Sequence, residues 1–226
     1  MATEIKSQAE LDALPEGELA ILKSGYYTLR GKRQAIVRGW AFVELHNKAF
    51  AELHDKARAR LYGSTQAELR DESRAKLFDL TQAELHGNSQ AHLFESSRAK
   101  LYDSAQADLH DLARAELFDS ARAEMCDKSQ AHLFGSSQAE LFDSARAILY
   151  SSAQADLHDS ARAELFESAQ AKLYNSSRAR LFNSTQVELY DDSRAELFDS
   201  SRANVYDDAT ATPIGDRAVI SRDNVK

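Results

Sequence analysis

The sequence predicts an all-β protein: a parallel β-solenoid of octapeptide repeats, with two octads, about 16 residues, per coil. Three observations predict it. Alanine returns at every eighth position from Ala51 to Ala203, with Val187 the one exception. Within each octad, small or apolar residues alternate with polar ones over five positions, the period of a strand. The other three positions carry a ring, then most often Asp, then often Ser, which is turn chemistry.

The alternative reading, a helix, fails on the period. Ala, Glu, Leu, Arg and Lys favour helix by propensity alone. Eight helical residues turn through about 800°, so an apolar stripe would slip about 80° with every repeat. No helix keeps one face buried under that drift.

Taken in order, the chain has three parts: a cap over residues 1–26, the solenoid over 27–210, and a C-terminal cap or tail over 211–226. In the first, Ser7–Gln8–Ala9–Glu10 has the form of a capping box, so a short helix is expected over about residues 8–13, ending before Pro15. Leu19–Leu22 reads as a strand that ends near Gly25. Such a cap shields sheet edges that would otherwise pair with another copy. Trp40, in the first irregular octads, is expected to plug the coil where it widens. After Tyr206 the repeat decays, and Pro213, Gly215 and the polar tail to Lys226 read as a terminal coil or a loose cap.

Number each octad from its alanine, so that Ala51 is position 1 and Arg58 position 8. Positions 7, 8, 1, 2 and 3 form the expected strand, with 7, 1 and 3 facing inward. Positions 4 to 6 form the corner. Residues 27–210 hold 23 octads. In a coil of two octads, position 1 faces position 1, and Leu at 3 faces the small residue at 7. Large against small fills a thin core without voids. Three octads, about 24 residues, per coil is the alternative, with an interior that Ala and Leu fill less well.

Composition narrows function. Lys+Arg total 28 against 36 Asp+Glu, a formal net charge of -8. Binders of duplex nucleic acid or anionic membranes carry a basic excess, so neither partner is expected. No apolar run is long enough for a spanning helix, and the early acids Glu4, Glu10, Asp12, Glu16 and Glu18 argue against a secretory leader. A cytoplasmic location, or a place in a phage or cell-surface assembly, is the expectation. The single cysteine, Cys126, excludes an internal disulfide and a cysteine-built metal site.

Position 4 carries the candidate surface. With two octads per coil, its residues divide onto two edges. One edge runs His54, Arg70 and His86, then Tyr102, Phe118, Phe134, Tyr150, Phe166, Phe182 and Phe198, the last seven an unbroken aromatic ladder. The other runs Tyr62, Phe78, Phe94, His110, Cys126, Phe142, His158, Tyr174, Tyr190 and Tyr206, and reads as interrupted. Rings stacked along a corner stabilise it. They also form an apolar stripe suited to a partner or a second copy.

The remaining chemistry-bearing residues point to no site. The position-5 acids, such as Asp55, Asp103 and Asp199, lack the glycine-rich loops of a calcium-binding solenoid and read as turn formers. The seven histidines (46, 54, 86, 92, 110, 132 and 158) are scattered over positions 4 and 2, without ligand spacing. No nucleophile elbow, phosphate loop or dinucleotide fingerprint occurs, and residues 51–210 contain no insertion to form a cleft. No catalytic, metal or cofactor-binding residue is expected, and no cofactor.

Tyr62–Gly63–Ser64–Thr65–Gln66, followed by Ala67, resembles the octapeptide repeats of bacterial ice-nucleation proteins. The single- and double-octad periods are similar too, as they are to octad β-solenoids of bacterial and phage proteins. The resemblance implies a β-solenoid and, as an activity, ice binding. From the residues themselves the expected function is non-enzymatic: a structural or interaction solenoid, a charged rod whose aromatic edge self-associates or docks a protein partner. An acidic rod mimicking nucleic acid, and so inhibiting a nucleic-acid enzyme, is the second reading.

Overall fold

The computed structural model describes residues 2–214 and 216–222. It is a parallel β-solenoid with two octads per coil. The described residues hold 27 strands, about 14 coils' worth, and one short helix. Ala2–Glu4 pairs with Leu19–Leu22 in one sheet, and from Leu19–Leu22 onward successive strands alternate between two sheets. The chain divides into two compact units, Met1–Asp108 with Leu112–Arg114, and Leu109–Asp111 with Ala115–Lys226.

In the first unit the helix Gln8–Ala13 begins at Ser7, whose hydroxyl accepts from the Glu10 amide. Its Leu11 is fully buried. The Gln8 side-chain amide donates to the Thr28 carbonyl and accepts from the Thr28 amide, at 3.1 and 2.9 Å. It thus takes the place of a neighbouring strand along Tyr26–Leu29, satisfying part of an edge that would otherwise recruit another chain. Arg33 closes the other end of the helix by donating to the carbonyls of Leu11, Asp12 and Leu14 at 2.7–3.0 Å. The expected strand Leu19–Leu22 pairs with Gln34–Val37, with Leu19 beside Gln34, one residue short of two octads. That single missing residue is why the octad register breaks in the cap. Beyond it, pairing is in steps of two full octads: Arg58 lies beside Arg74, Ala59 beside Ala75, Leu61 beside Leu77.

In the second unit the same register holds from Arg122, beside Gln138, to Arg194, beside Thr210. The tail adds the strands Thr210–Ile214, in that register, and Val219–Arg222, where Arg202 lies beside Val219, one residue more than two octads. Both strands form without the octad motif, because backbone pairing needs no side-chain pattern. Gly215 and residues 223–226 lie outside the described residues.

Two local expectations are corrected. Regular strands occupy four positions, 8, 1, 2 and 3, as in Gln66–Leu69. Position 7 is inward and buried but belongs to the corner, where its amide donates back to the position-4 carbonyl, as from Ser73 to Arg70 at 3.1 Å. Trp40 plugs nothing. It stands 69% exposed at a corner, with the Lys56 ammonium 5.3 Å from its ring. Its slot is position 6, which points outward in every octad.

The core follows the predicted inward set. Leu at position 3 is fully buried throughout, Met125 fills one such slot, and position-1 alanines are at most 8% exposed. Identical side chains therefore stack on identical side chains in both units. Each buried Leu contributes about 1.5–3 kcal/mol, distributed evenly through the repeats.

Candidate interaction surface

The corners are built by a positive-φ residue at position 5. Eighteen described non-glycine residues have φ between 53° and 66°, among them Asp55, Asn175 and Asp207, and glycines fill other such slots. Asp and Asn tolerate this left-handed region best after glycine. The parallel hydrogen-bond ladder continues around the corner: the Glu72 amide, for example, donates to the Asp55 carbonyl at 3.0 Å. The position-5 amide donates instead to a side chain. That of Asp127 reaches Asp143 Oδ2 at 3.2 Å, and that of Asn183 reaches Asp199 Oδ2 at 2.9 Å. Each position-5 acid thus caps the corner one coil earlier in the chain.

On these corners stand the rings. Of the seven ladder residues, Tyr102 belongs to the first unit, where it stacks on His86 at 4.8 Å. The other six form one column in the second unit. Phe118, Phe134, Tyr150, Phe166, Phe182 and Phe198 stack in succession with centroids 4.7–5.3 Å apart. All are half-buried: their faces are covered by neighbours.

The second edge is less broken than its sequence suggests. In the first unit His46, Tyr62, Phe78 and Phe94 stack at 5.0–5.1 Å. In the second, Phe142, His158, Tyr174, Tyr190 and Tyr206 stack at 4.8–5.0 Å. An imidazole serves as a ring in the column. Leu80 and Leu112, at position 6 on this side of the first unit, are 63% and 54% exposed and add apolar surface.

Burial within the column, then the hydrogen bond to Glu188 Oε2 at 3.0 Å, push the Tyr190 hydroxyl up to about 12. Burial likewise raises Tyr174. Among the described residues no group of three or more His, Cys, Asp or Glu is placed to hold a metal ion. No described helix is long and apolar enough to cross a membrane. Cys126 is half-buried in the position-4 slot. The position-7 hydroxyls of Thr65, Thr81 and Thr185 are fully buried, so these threonines face the core. No family model, no curated protein and no solved structure matches this chain.

Proposed function

We propose that the chain is a non-enzymatic structural or interaction module that docks a protein partner or a second copy along its ring-bearing corners. One observation carries the reading. Six consecutive coils of the second unit present Phe118, Phe134, Tyr150, Phe166, Phe182 and Phe198 as one half-exposed stack. Stacking satisfies the ring faces and leaves their rims as a continuous apolar line, the kind of surface that marks an interface. Ice binding draws no support from the buried threonines. A nucleic-acid mimic draws none from outer faces on which arginine and glutamate both stand, as Arg162 and Glu164 do on one strand.

The test replaces Phe118, Phe134 and Phe166 with Ser and compares association by light scattering over a concentration series, with circular dichroism to check the fold. Phe166→Ser alone serves if the triple variant does not fold. Association of the folded variants should fall steeply. Unchanged association, or unchanged capture of a native partner, would refute the role of the corner.

A further inference from the structure

Two runs of strands on the outer faces of the second unit carry opposite charges, the acidic one ending where Lys172 lies beside Asp156. In one sheet, Arg146, Arg162, Arg178 and Arg194 are paired strand to strand in direct register. All four are exposed, and among the described residues none of them makes an ion pair. The outward positions of their four strands hold five arginines against two glutamates, net +3. Of these five, only Arg180 is paired, with Glu196 at 3.0 Å. The column lines an open trough of about 940 Å³ together with the position-1 alanines from Ala131 to Ala195.

In the other sheet of the same unit, Glu124, Glu140 and Asp156 are in direct register. The outward positions of their three strands sum to -2, since Arg122 alone opposes them.

Four guanidinium groups held one strand apart repel one another, as do three carboxylates. Such columns are costly unless something of opposite sign covers them. The covering charges must repeat at the strand spacing, about 4.8 Å. A carboxylate column on a β-solenoid has that pitch by construction, because the same backbone hydrogen bonds set it. We infer that the arginine trough of one copy receives the Glu124–Glu140–Asp156 column of another. The contact uses two different faces, so it is heterologous and propagates: each copy offers a basic face to one neighbour and an acidic face to the next. Exposed ion pairs are individually weak. A matched column makes several at once. This interface is separate from the ring corners.

Sedimentation velocity at about 20 and 500 mM NaCl tests it, because exposed ion pairs are screened at the higher salt. The expected result is an open-ended series at low salt that returns to small species at high salt. Arg162→Glu with Arg178→Glu makes both faces acidic, and Glu124→Arg with Glu140→Arg makes both basic. Each variant alone should lose association at least tenfold. An equimolar mixture should regain it, because only unlike copies can then alternate. Two folded variants that fail to reassociate when mixed would overturn the inference. So would association that is insensitive to salt and to both reversals but lost in the Phe→Ser variants, which assigns contact to the corners instead. A wild type that stays unassociated at low salt, yet binds heparin through the same arginines, would overturn it in favour of a foreign polyanion.

Discussion

Replacing Asp143 tests the corner-capping role of position 5. Its Oδ2 accepts from the Asp127 amide at 3.2 Å, and its own φ is 55°. Three substitutions separate these two properties. Asp143→Asn keeps an acceptor, as Asn175 does for the Asp159 amide at 3.1 Å, and keeps the tolerance for positive φ. It also removes one charge from a column of acids, so its stability should equal or slightly exceed that of the wild type. Asp143→Gly keeps the backbone freedom but removes the acceptor. A net hydrogen bond is worth about 0.5–1.5 kcal/mol, and the site is exposed, so the loss should fall near the lower end. The entropy of an added glycine and the relief of left-handed strain roughly cancel, at about 0.4–1 kcal/mol for the first. Asp143→Ala loses the acceptor and leaves an unassisted Cβ in the left-handed region, a further cost of about 1–2 kcal/mol. The order is therefore Asn, then Gly, then Ala. Denaturant melts give the ranking, and hydrogen exchange at the Asp127 amide gives the local effect. Exchange there should quicken for Gly and Ala but not for Asn. An alanine variant as stable as the asparagine one, with the Asp127 amide still protected, would refute the argument.

Two other perturbations test the interior and the rings. Ser137 is fully buried with no partner for its hydroxyl, whereas Ser201 donates to the Phe198 carbonyl at 2.7 Å. Ser137→Ala should be neutral or stabilising by up to about 1 kcal/mol, and Ser201→Ala destabilising by about 1 kcal/mol, as read from thermal or denaturant unfolding. Tyr190 is held neutral up to a folded pKa of about 12, above its unfolded value near 10. A group raised on folding contributes its stability fully below the unfolded value and loses it as pH climbs to the folded one. Stability should therefore decline between about pH 10 and 12, and Tyr190→Phe should flatten that decline and remove the last tyrosinate step in ultraviolet absorbance.

The solenoid was legible because the repeat states one geometry many times over. An eight-residue period excludes a helix, and inward Ala and Leu suit a thin interior, so packing favours two octads per coil over three, and the structure has two. The helix at Gln8–Ala13 was legible because a capping box is local. What escaped depends on relations between coils. Nothing local in Asp143 says that its carboxylate serves the Asp127 amide, a full coil earlier. The second ring column looks interrupted in the letters because His158 stands among phenylalanines and tyrosines, while in the column its flat ring stacks like theirs. Trp40 was placed inside by size, yet its position-6 slot points out. The arginine and carboxylate columns were also present in the letters, but only a known coil length brings Arg146, Arg162, Arg178 and Arg194 into one line.

The two-octad steps that pair Arg58 with Arg74 have a consequence for how such a gene can change length. Losing or gaining the codons of two octads removes or adds a whole coil, and every strand downstream keeps its sheet. A slip of one octad is equally in frame and equally faithful to the repeat, but it moves every later strand to the opposite sheet. The core would not register the change, since positions 7, 1 and 3 remain inward. The outside would: arginines downstream of the slip would exchange faces with the carboxylates, and the two ring columns would change corners. Selection on the fold alone would tolerate either event, whereas selection on the surface would preserve only the even ones.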